Sequence, residues 1–391
     1  MQNISFERAR LSCAVFFMGP GLGYGILTSR LPFLKAQTGA TEAEIGLILL
    51  CIGLSGLAAL LASNRLLSRW GSRSILLLFS LVLPVAVSLC GIAPTPSMLG
   101  FMCILVGLSI GLCDVSMNTQ GVMIERHFTR PALSLMHAAY SLGGVLGALS
   151  GALFAALGLG MLENALGVFI LYLFARAWAA KGLIAGSGEP VQTQSTRSNI
   201  PPRVKERVPA LIYICALMLA SNYASEGSVG EWGSLYLNLE KGAPEETAAL
   251  TFAVFSTVTV LCRLTGDRIR LMVSDARLLT GGGLIALLAM LCVLHLDRPV
   301  YILIAYGFMG LGMSLMSPIL FSRAGSCPGI SSARAISLVS TCSYGALLLF
   351  PPLLGFAAEH SSIGQALYIV VGLCTVLTIG GLAFRTKRQT N

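Results

Sequence analysis

Long apolar stretches separated by short polar gaps run the length of this 391-residue chain. Read by length and by where the charges stop, they fall at residues 9–31, 43–63, 74–93, 97–124, 133–157, 161–183, 208–237, 246–266, 277–295, 299–321, 334–357 and 363–384. A bilayer core about 30 Å thick takes roughly 20 apolar residues per helical crossing. In hydrocarbon the backbone must satisfy its own hydrogen bonds, so the helix is the expected spanning element, and the short alternating segments of a membrane barrel are missing from the pattern. The chain reads as an all-α membrane protein with twelve transmembrane helices.

Composition narrows the class further. Charged residues make up 11% of the chain and hydrophobic ones 55%, with a mean hydropathy of +0.80; soluble domains carry about 25% charge. Of the 26 Lys and Arg residues, 22 fall in alternate gaps, and the other gaps keep Arg30, Lys35, Lys241 and Arg298. The positive-inside rule then places both termini in the cytoplasm. The net charge of +9 is therefore a topology signal. Its dispersal over seven segments argues against a nucleic-acid surface.

Other features carry no chemistry of their own. The first stretch is longer than the apolar core of a signal peptide and lacks a small-x-small cleavage site, so it is expected to remain as the first span. The 11 cysteines show no CxxC pair and no Cys/His spacing suited to zinc, and they read as small packing residues. Neither a metal nor a cofactor is expected. No Walker sequence, HExxH pair or Ser-His-acid arrangement is present, so an enzyme is not expected and the energy source must be a gradient. The glycines of Gly19 to Gly25 lie within a span with no preceding strand, which favours close helix packing or a bend over a phosphate cradle. Gly143, Gly147 and Gly151 repeat at four-residue spacing, a small-residue face for helix contact.

The two halves of the chain repeat. A Gly-, Ser-, Pro- and charge-rich connection at 185–207 separates a first bundle (1–184) from a second (208–391). A shift of about 203 residues places Gly39-Ala40-Thr41-Glu42 on Gly242-Ala243-Pro244-Glu245 and Gly107-Leu108 on Gly310-Leu311, and one residue more places Tyr140 on Tyr344. The expected fold is thus two pseudo-symmetric six-helix bundles. Parallel repeats of this kind belong to alternating-access carriers that hold substrate between the halves near the midplane.

Polar residues inside the spans are costly and mark candidate sites. Asp114 lies about twelve residues, roughly 18 Å of helix, from Arg126. Asn118 follows it by one turn on the same face. The fourth and fifth spans should be antiparallel neighbours through a short turn, which brings His137, Tyr140 and Ser141 to similar depth and predicts one cluster with Asp114 and Asn118. A histidine beside a carboxylate is a proton-relay candidate. In the seventh span Asn222, Tyr223 and Glu226 form a second polar set, with Glu226 the second intramembrane acid. Glu231 and Trp232 read instead as residues of the membrane interface. Asp114, Glu226 and His137 are the candidate proton-coupling groups, and Asn118, Tyr140, Ser141, Asn222 and Tyr223 suit a hydroxyl-rich solute.

At this point the chain resembles the major facilitator superfamily over essentially its whole length. Asn64-Arg65-Leu66-Leu67-Ser68-Arg69-Trp70-Gly71-Ser72-Arg73 is similar to the superfamily's loop between spans 2 and 3, with Ser68 where an acid is usual and Asn64 where a glycine is usual. Arg263-Leu264-Thr265-Gly266-Asp267-Arg268 resembles the partner loop. This resemblance implies gating roles for Arg69, Arg73, Arg263 and Asp267. A narrower likeness, to the fucose-permease-like bacterial inner-membrane carriers, rests on Arg30-Leu31-Pro32, Asp114 to Asn118, Met136 to Gly144, and Glu226-Gly227 with Glu231-Trp232. It implies a monomeric, proton-linked solute carrier of the bacterial inner membrane, with Arg30 at the substrate site; Leu27 stands where an aromatic residue often precedes the Arg-x-Pro turn. An exporter of amphipathic or cationic compounds and a non-transporting sensor are the alternatives. The expected partners are a small solute, protons and the lipid bilayer.

Overall fold

The computed structural model describes residues 4–184 and 208–384; the connection at 185–207 and the basic tail with Arg385, Lys387 and Arg388 lie outside the described residues. Among the described residues the regular structure is helical throughout. The helices are α1 (Phe6–Ser29), α2 (Leu31–Thr38), α3 (Glu42–Cys90), α4 (Pro96–Phe128), α5 (Leu133–Ala156), α6 (Met161–Ala179), α7 (Ala210–Leu235), α8 (Glu245–Ala248), α9 (Leu250–Met272), α10 (Asp275–His295), α11 (Pro299–Met313), α12 (Met316–Gly325), α13 (Ser332–His360), α14 (Ile363–Ala366) and α15 (Tyr368–Gly381).

Local chemistry explains the starts and stops. A capping box opens α3: the Glu44 N–H donates to Thr41 Oγ1 at 3.3 Å and the Thr41 N–H to Glu44 Oε2 at 2.9 Å. Thr95 caps α4, and Pro96 occupies its first position. The turn from α4 to α5 is closed by Glu125, whose Oε1 accepts from the N–H groups of Ala132 at 2.7 Å and Leu133 at 3.0 Å. The short connection expected there is present.

Two connections expected as loops are instead helical. The 64–73 segment continues α3 on both sides of Gly71, whose φ of 75° and ψ of 152° break the helix in a region open essentially to glycine alone. The segment 263–268 lies wholly inside α9, which runs on to Met272. Polar side chains along these turns imitate a loop composition, while the backbone stays helical up to and beyond Gly71 and throughout 263–268.

Among the described residues, ten helical segments are long and apolar enough to cross a membrane. One of them, α3, contains two of the expected spans in its 49 residues. The seventh expected span, α7, falls outside the ten because of Ser221, Asn222, Ser225, Glu226, Ser228, Glu231 and Ser234. Six of these seven side chains are buried in protein.

The described chain packs as two compact units. The first holds residues 4–184 together with Gly233–Ala253, and the second holds residues 208–232 and 254–384. In the first, α1 and α5 meet through glycines: a Cβ on Gly21 or Gly25 would strike the carbonyls of Tyr140 and Gly144, and one on Gly143 would strike that of Met18. The glycine runs read as packing faces are therefore packing faces. In the second, Gly282 and Gly312 give α10 and α11 the same close approach.

The repeat is visible in the backbone. Gly39 and Gly242, 203 positions apart, both adopt the left-handed conformation at φ 66° and 64°, and the residues three further on, Glu42 and Glu245, each begin a helix. Gly107 packs on the carbonyl of Ile52, and Gly310 on that of Phe255, again 203 positions along in both partners.

Candidate functional site

Each unit carries one polar cluster built around a mid-helix carboxylate. In the first, Asp114 projects from α4 and accepts from Asn118, whose Nδ2 lies 3.2 Å from Asp114 Oδ1 and 2.8 Å from the Asp114 carbonyl oxygen. From α5, the His137 imidazole and the Tyr140 hydroxyl lie within electrostatic reach of the carboxylate. The other side of the imidazole meets the edge of Phe17, with ring centroids 5.2 Å apart. Asp114 and His137 are both exposed at the surface of the unit. Four of the five expected residues are thus brought together. Ser141 sits one turn beyond His137 and donates to its carbonyl oxygen at 3.3 Å.

In the second unit Glu226 of α7 forms an ion pair with Arg263 of α9 at 3.3 Å, and the Arg263 Nε donates to the Ser314 carbonyl at 3.1 Å. Asn222, fully buried one turn earlier, donates to Ser317 Oγ at 3.3 Å and lies beside the Glu226 carboxylate. Tyr223 lies beside Ser317 and meets Tyr344 of α13 edge-on at 6.0 Å. Ser317 was not a sequence candidate: a lone serine on an apolar helix gives no signal. Arg263 was expected in a gating loop. Its place inside α9 sets its guanidinium, on a long side chain, against the acid of a neighbouring helix.

The remaining candidates have other settings. Arg30, expected at the substrate site, is fully buried. Its Nη1 lies 3.2 Å from Glu245 Oε1 and donates to the Gly151 carbonyl at 3.4 Å, its Nη2 donates to the Leu159 carbonyl at 2.6 Å, and its guanidinium stands over the Phe33 ring at 4.8 Å. The guanidinium is thereby engaged within the first unit. Arg69 is exposed beside the Trp70 ring, and Arg73 reaches the Ala180 carbonyl at the end of α6 at 3.4 Å. Asp267 lies in α9 and its side chain is outside the described residues. Glu231 and Trp232, read as interfacial, are buried inside the protein at 9% and 1% exposure.

Comparison with known proteins places this architecture. The family model of the Major Facilitator Superfamily matches residues 11–328. The chain belongs to the Major Facilitator Superfamily. It is 30% identical to an uncharacterised MFS-type transporter of Yersinia pestis, over 97% of this chain and 96% of that one, and 24% identical to the membrane protein MosC of Rhizobium meliloti, over 96% and 89%. Among solved structures, the nucleoside transporter NupG matches with a TM-score of 0.74 at 12% identity, covering 97% of this chain and 100% of that one. A D-xylose–proton symporter matches with a TM-score of 0.66 at 15% identity, covering 99% and 98%. The protein is accordingly a multi-pass membrane transporter of this superfamily, and its fold is the one the repeated six-helix pattern predicted.

Proposed function

We propose that this superfamily member is a proton-coupled carrier of a small hydroxyl-bearing solute, a sugar or related metabolite, working as a monomer by alternating access in the bacterial inner membrane with both termini cytoplasmic. The observation that carries the reading is Asp114 set against His137 on an exposed face of two apolar helices. An acid is expensive at such depth unless it meets water, a partner or a ligand. An imidazole is the side chain type suited to passing a proton to and from a neighbouring carboxylate. Asn118 and Tyr140 supply donors and acceptors beside that pair. Asn222 and Tyr223 do so in the second unit, and Glu226 joins them with its charge held by Arg263. Arg69 and Arg73, at the break in α3, belong to the gating apparatus, with Asp267 as its counterpart in α9.

The test begins with ligand identity. Purified protein is screened for thermal stabilisation by sugars, organic acids, amino acids and cationic drugs, since a ligand selective for the native state raises apparent stability. A sugar or polyol is the expected hit, and an imposed acid-outside gradient in proteoliposomes should then drive its accumulation. Stabilisation by cationic amphiphiles alone, with flux outward against the proton gradient, would replace this reading with an exporter.

A further inference from the structure

Within the second unit, α10 and α11 share a groove that lies apart from the Glu226 cluster. The two backbones touch at Gly282 and Gly312, where a Cβ on either would strike the carbonyl of the other. The groove begins about one turn further on, at Ile285 and Phe308, and ends beside the connection between the helices, at Leu296 and Tyr301. Its volume is about 470 Å³, within the range of small-molecule sites. The sizes of the side chains create it. Ala289 and Ala305, each 5% exposed, form the floor, while Leu288, Tyr301, Ile304 and Phe308 are about half exposed and stand as walls.

Length and depth indicate what fits. From Ile285 to Leu296 the groove follows eleven residues, roughly 16 Å of helix, or about half of a 30 Å hydrocarbon core. It therefore runs from the membrane surface to near the midplane, as one acyl chain does. Volume over length gives a mean cross-section of roughly 30 Å², too slender for the helix of a second copy, which is about 10 Å across. Apolar walls alone would not retain a lipid, because bilayer tails are as apolar as leucine side chains. Concave walls add dispersion contacts, and the outer end of the groove adds charge. Arg298, exposed, is the N-cap residue of α11 and stands three residues before Tyr301, one turn beyond the lining stripe of Tyr301, Ala305 and Phe308. Asp297 precedes it in the chain and disfavours a headgroup of net negative charge. His295 and Tyr368, 3.4 Å apart between ring nitrogen and hydroxyl, supply polar and aromatic groups at the same level.

We propose that this groove is a binding site for a zwitterionic phospholipid, with one acyl chain lying over Ala289 and Ala305 and the phosphate paired with Arg298. The chain supplies the shape match and the phosphate supplies the preference over other lipids. The inference goes beyond the solute–proton reading and needs neither solute nor proton, so each can fail while the other stands.

The experiment uses the full chain, purified in a mild detergent and titrated with dioleoyl-phosphatidylethanolamine, with bound lipids counted by native mass spectrometry. The wild type should take up a first molecule more tightly than those that follow. Ala305→Phe, which fills the floor, should lose that first molecule. Arg298→Gln should bind it about fivefold more weakly, and Arg298→Lys should restore it. Dioleoylglycerol, with the same tails and no phosphate, should bind the wild type weakly and Arg298→Gln equally weakly. Because Arg298 is exposed, its variants keep the test decisive if Ala305→Phe fails to fold. A first-lipid affinity unchanged in Arg298→Gln overturns the proposal, as does dioleoylglycerol or dioleoyl-phosphatidylglycerol binding the wild type as tightly as the phosphatidylethanolamine. A dimer mass in the wild type that Ala305→Phe abolishes would overturn it too, in favour of a second copy on this face.

Discussion

Asp114 and Glu226 are both mid-helix carboxylates, one in each unit, yet their partners differ in kind. Asp114 faces an imidazole and an amide. Glu226 faces a guanidinium that is itself anchored to a backbone carbonyl. A guanidinium keeps its charge across the physiological range, whereas an imidazole does not. The acid of the second unit is therefore set against a permanent cation, and that of the first against a ring that also exists in a neutral form. Two acids that look equivalent as intramembrane carboxylates are separated by what stands beside them.

The sharpest way to break this contrast is to neutralise each acid. Asp114→Asn should abolish pH-gradient-driven accumulation of the solute selected by the stabilisation screen while leaving solute-for-solute exchange measurable in proteoliposomes. Glu226→Gln should depress both activities together, because it leaves Arg263 without its counterion. Full gradient-driven accumulation in Asp114→Asn would remove the first cluster from coupling.

Stability should separate the clusters next. Arg263 and Glu226 are 43% and 23% exposed at the side chain, so losing one partner should cost about 1–3 kcal/mol, less than the roughly 3–5 kcal/mol of a fully buried pair. The double variant Glu226→Gln with Arg263→Gln should recover most of that, a coupling readable in a double-mutant cycle of unfolding midpoints. Additive losses would mean that the two side chains do not act as a pair.

Much of this was legible in the chain and some was not, for physical reasons. The spans follow from apolar length, and Asp114 with Asn118 follows from helical spacing. The turn at Glu125 fixed how α4 and α5 align, so His137 and Tyr140 were found from depth alone. Gly39 and Gly242 were visible as a repeat, and their shared positive φ shows why glycine stands there. The partner of Arg263 was not visible because its neighbours resemble a loop motif; a cation three turns into a helix finds its acid through the reach of its side chain, which spacing does not reveal. Arg30 was placed at the substrate site by the family likeness alone, which says nothing of the acceptors its guanidinium finds in the fold. Those acceptors are two carbonyls and Glu245, distant in sequence and brought near only by tertiary packing. The polar side chains of α7 hide a span that burial makes tolerable.

Exchanging the cations between clusters sharpens the comparison with a smaller effect. His137→Arg gives the first cluster a permanent charge and should flatten the pH dependence of transport between about pH 5 and 8. Arg263→His gives the second cluster a titrating one. A histidine that gains a carboxylate partner binds its proton more tightly folded than unfolded, so its contribution is present at low pH and lost as pH rises through the folded value. Arg263→His should thus be less stable at high pH than at low by about 1 kcal/mol, measured as unfolding midpoints across pH. A flat profile would place the imidazole out of reach of Glu226.

The finest distinction concerns the two tyrosines that the repeat places in corresponding helices. The Tyr140 hydroxyl lies by Asp114, whereas the Tyr344 ring meets Tyr223 in the cluster whose cation is permanent. Removing either hydroxyl should cost one hydrogen bond to a hydroxylated solute, about 0.5–1.5 kcal/mol or up to roughly tenfold in Kd. The variants should differ in how that loss depends on pH. For Tyr140→Phe the loss should change across the pH range in which the neighbouring pair alters its charge, because the hydroxyl responds to whether Asp114 carries a proton. For Tyr344→Phe it should change less, since the cation of that cluster, Arg263, keeps its charge throughout. Thermal-shift titrations of both variants at two pH values measure this directly, and an identical pH dependence in the two would show that the clusters are electrostatically alike despite their different cations.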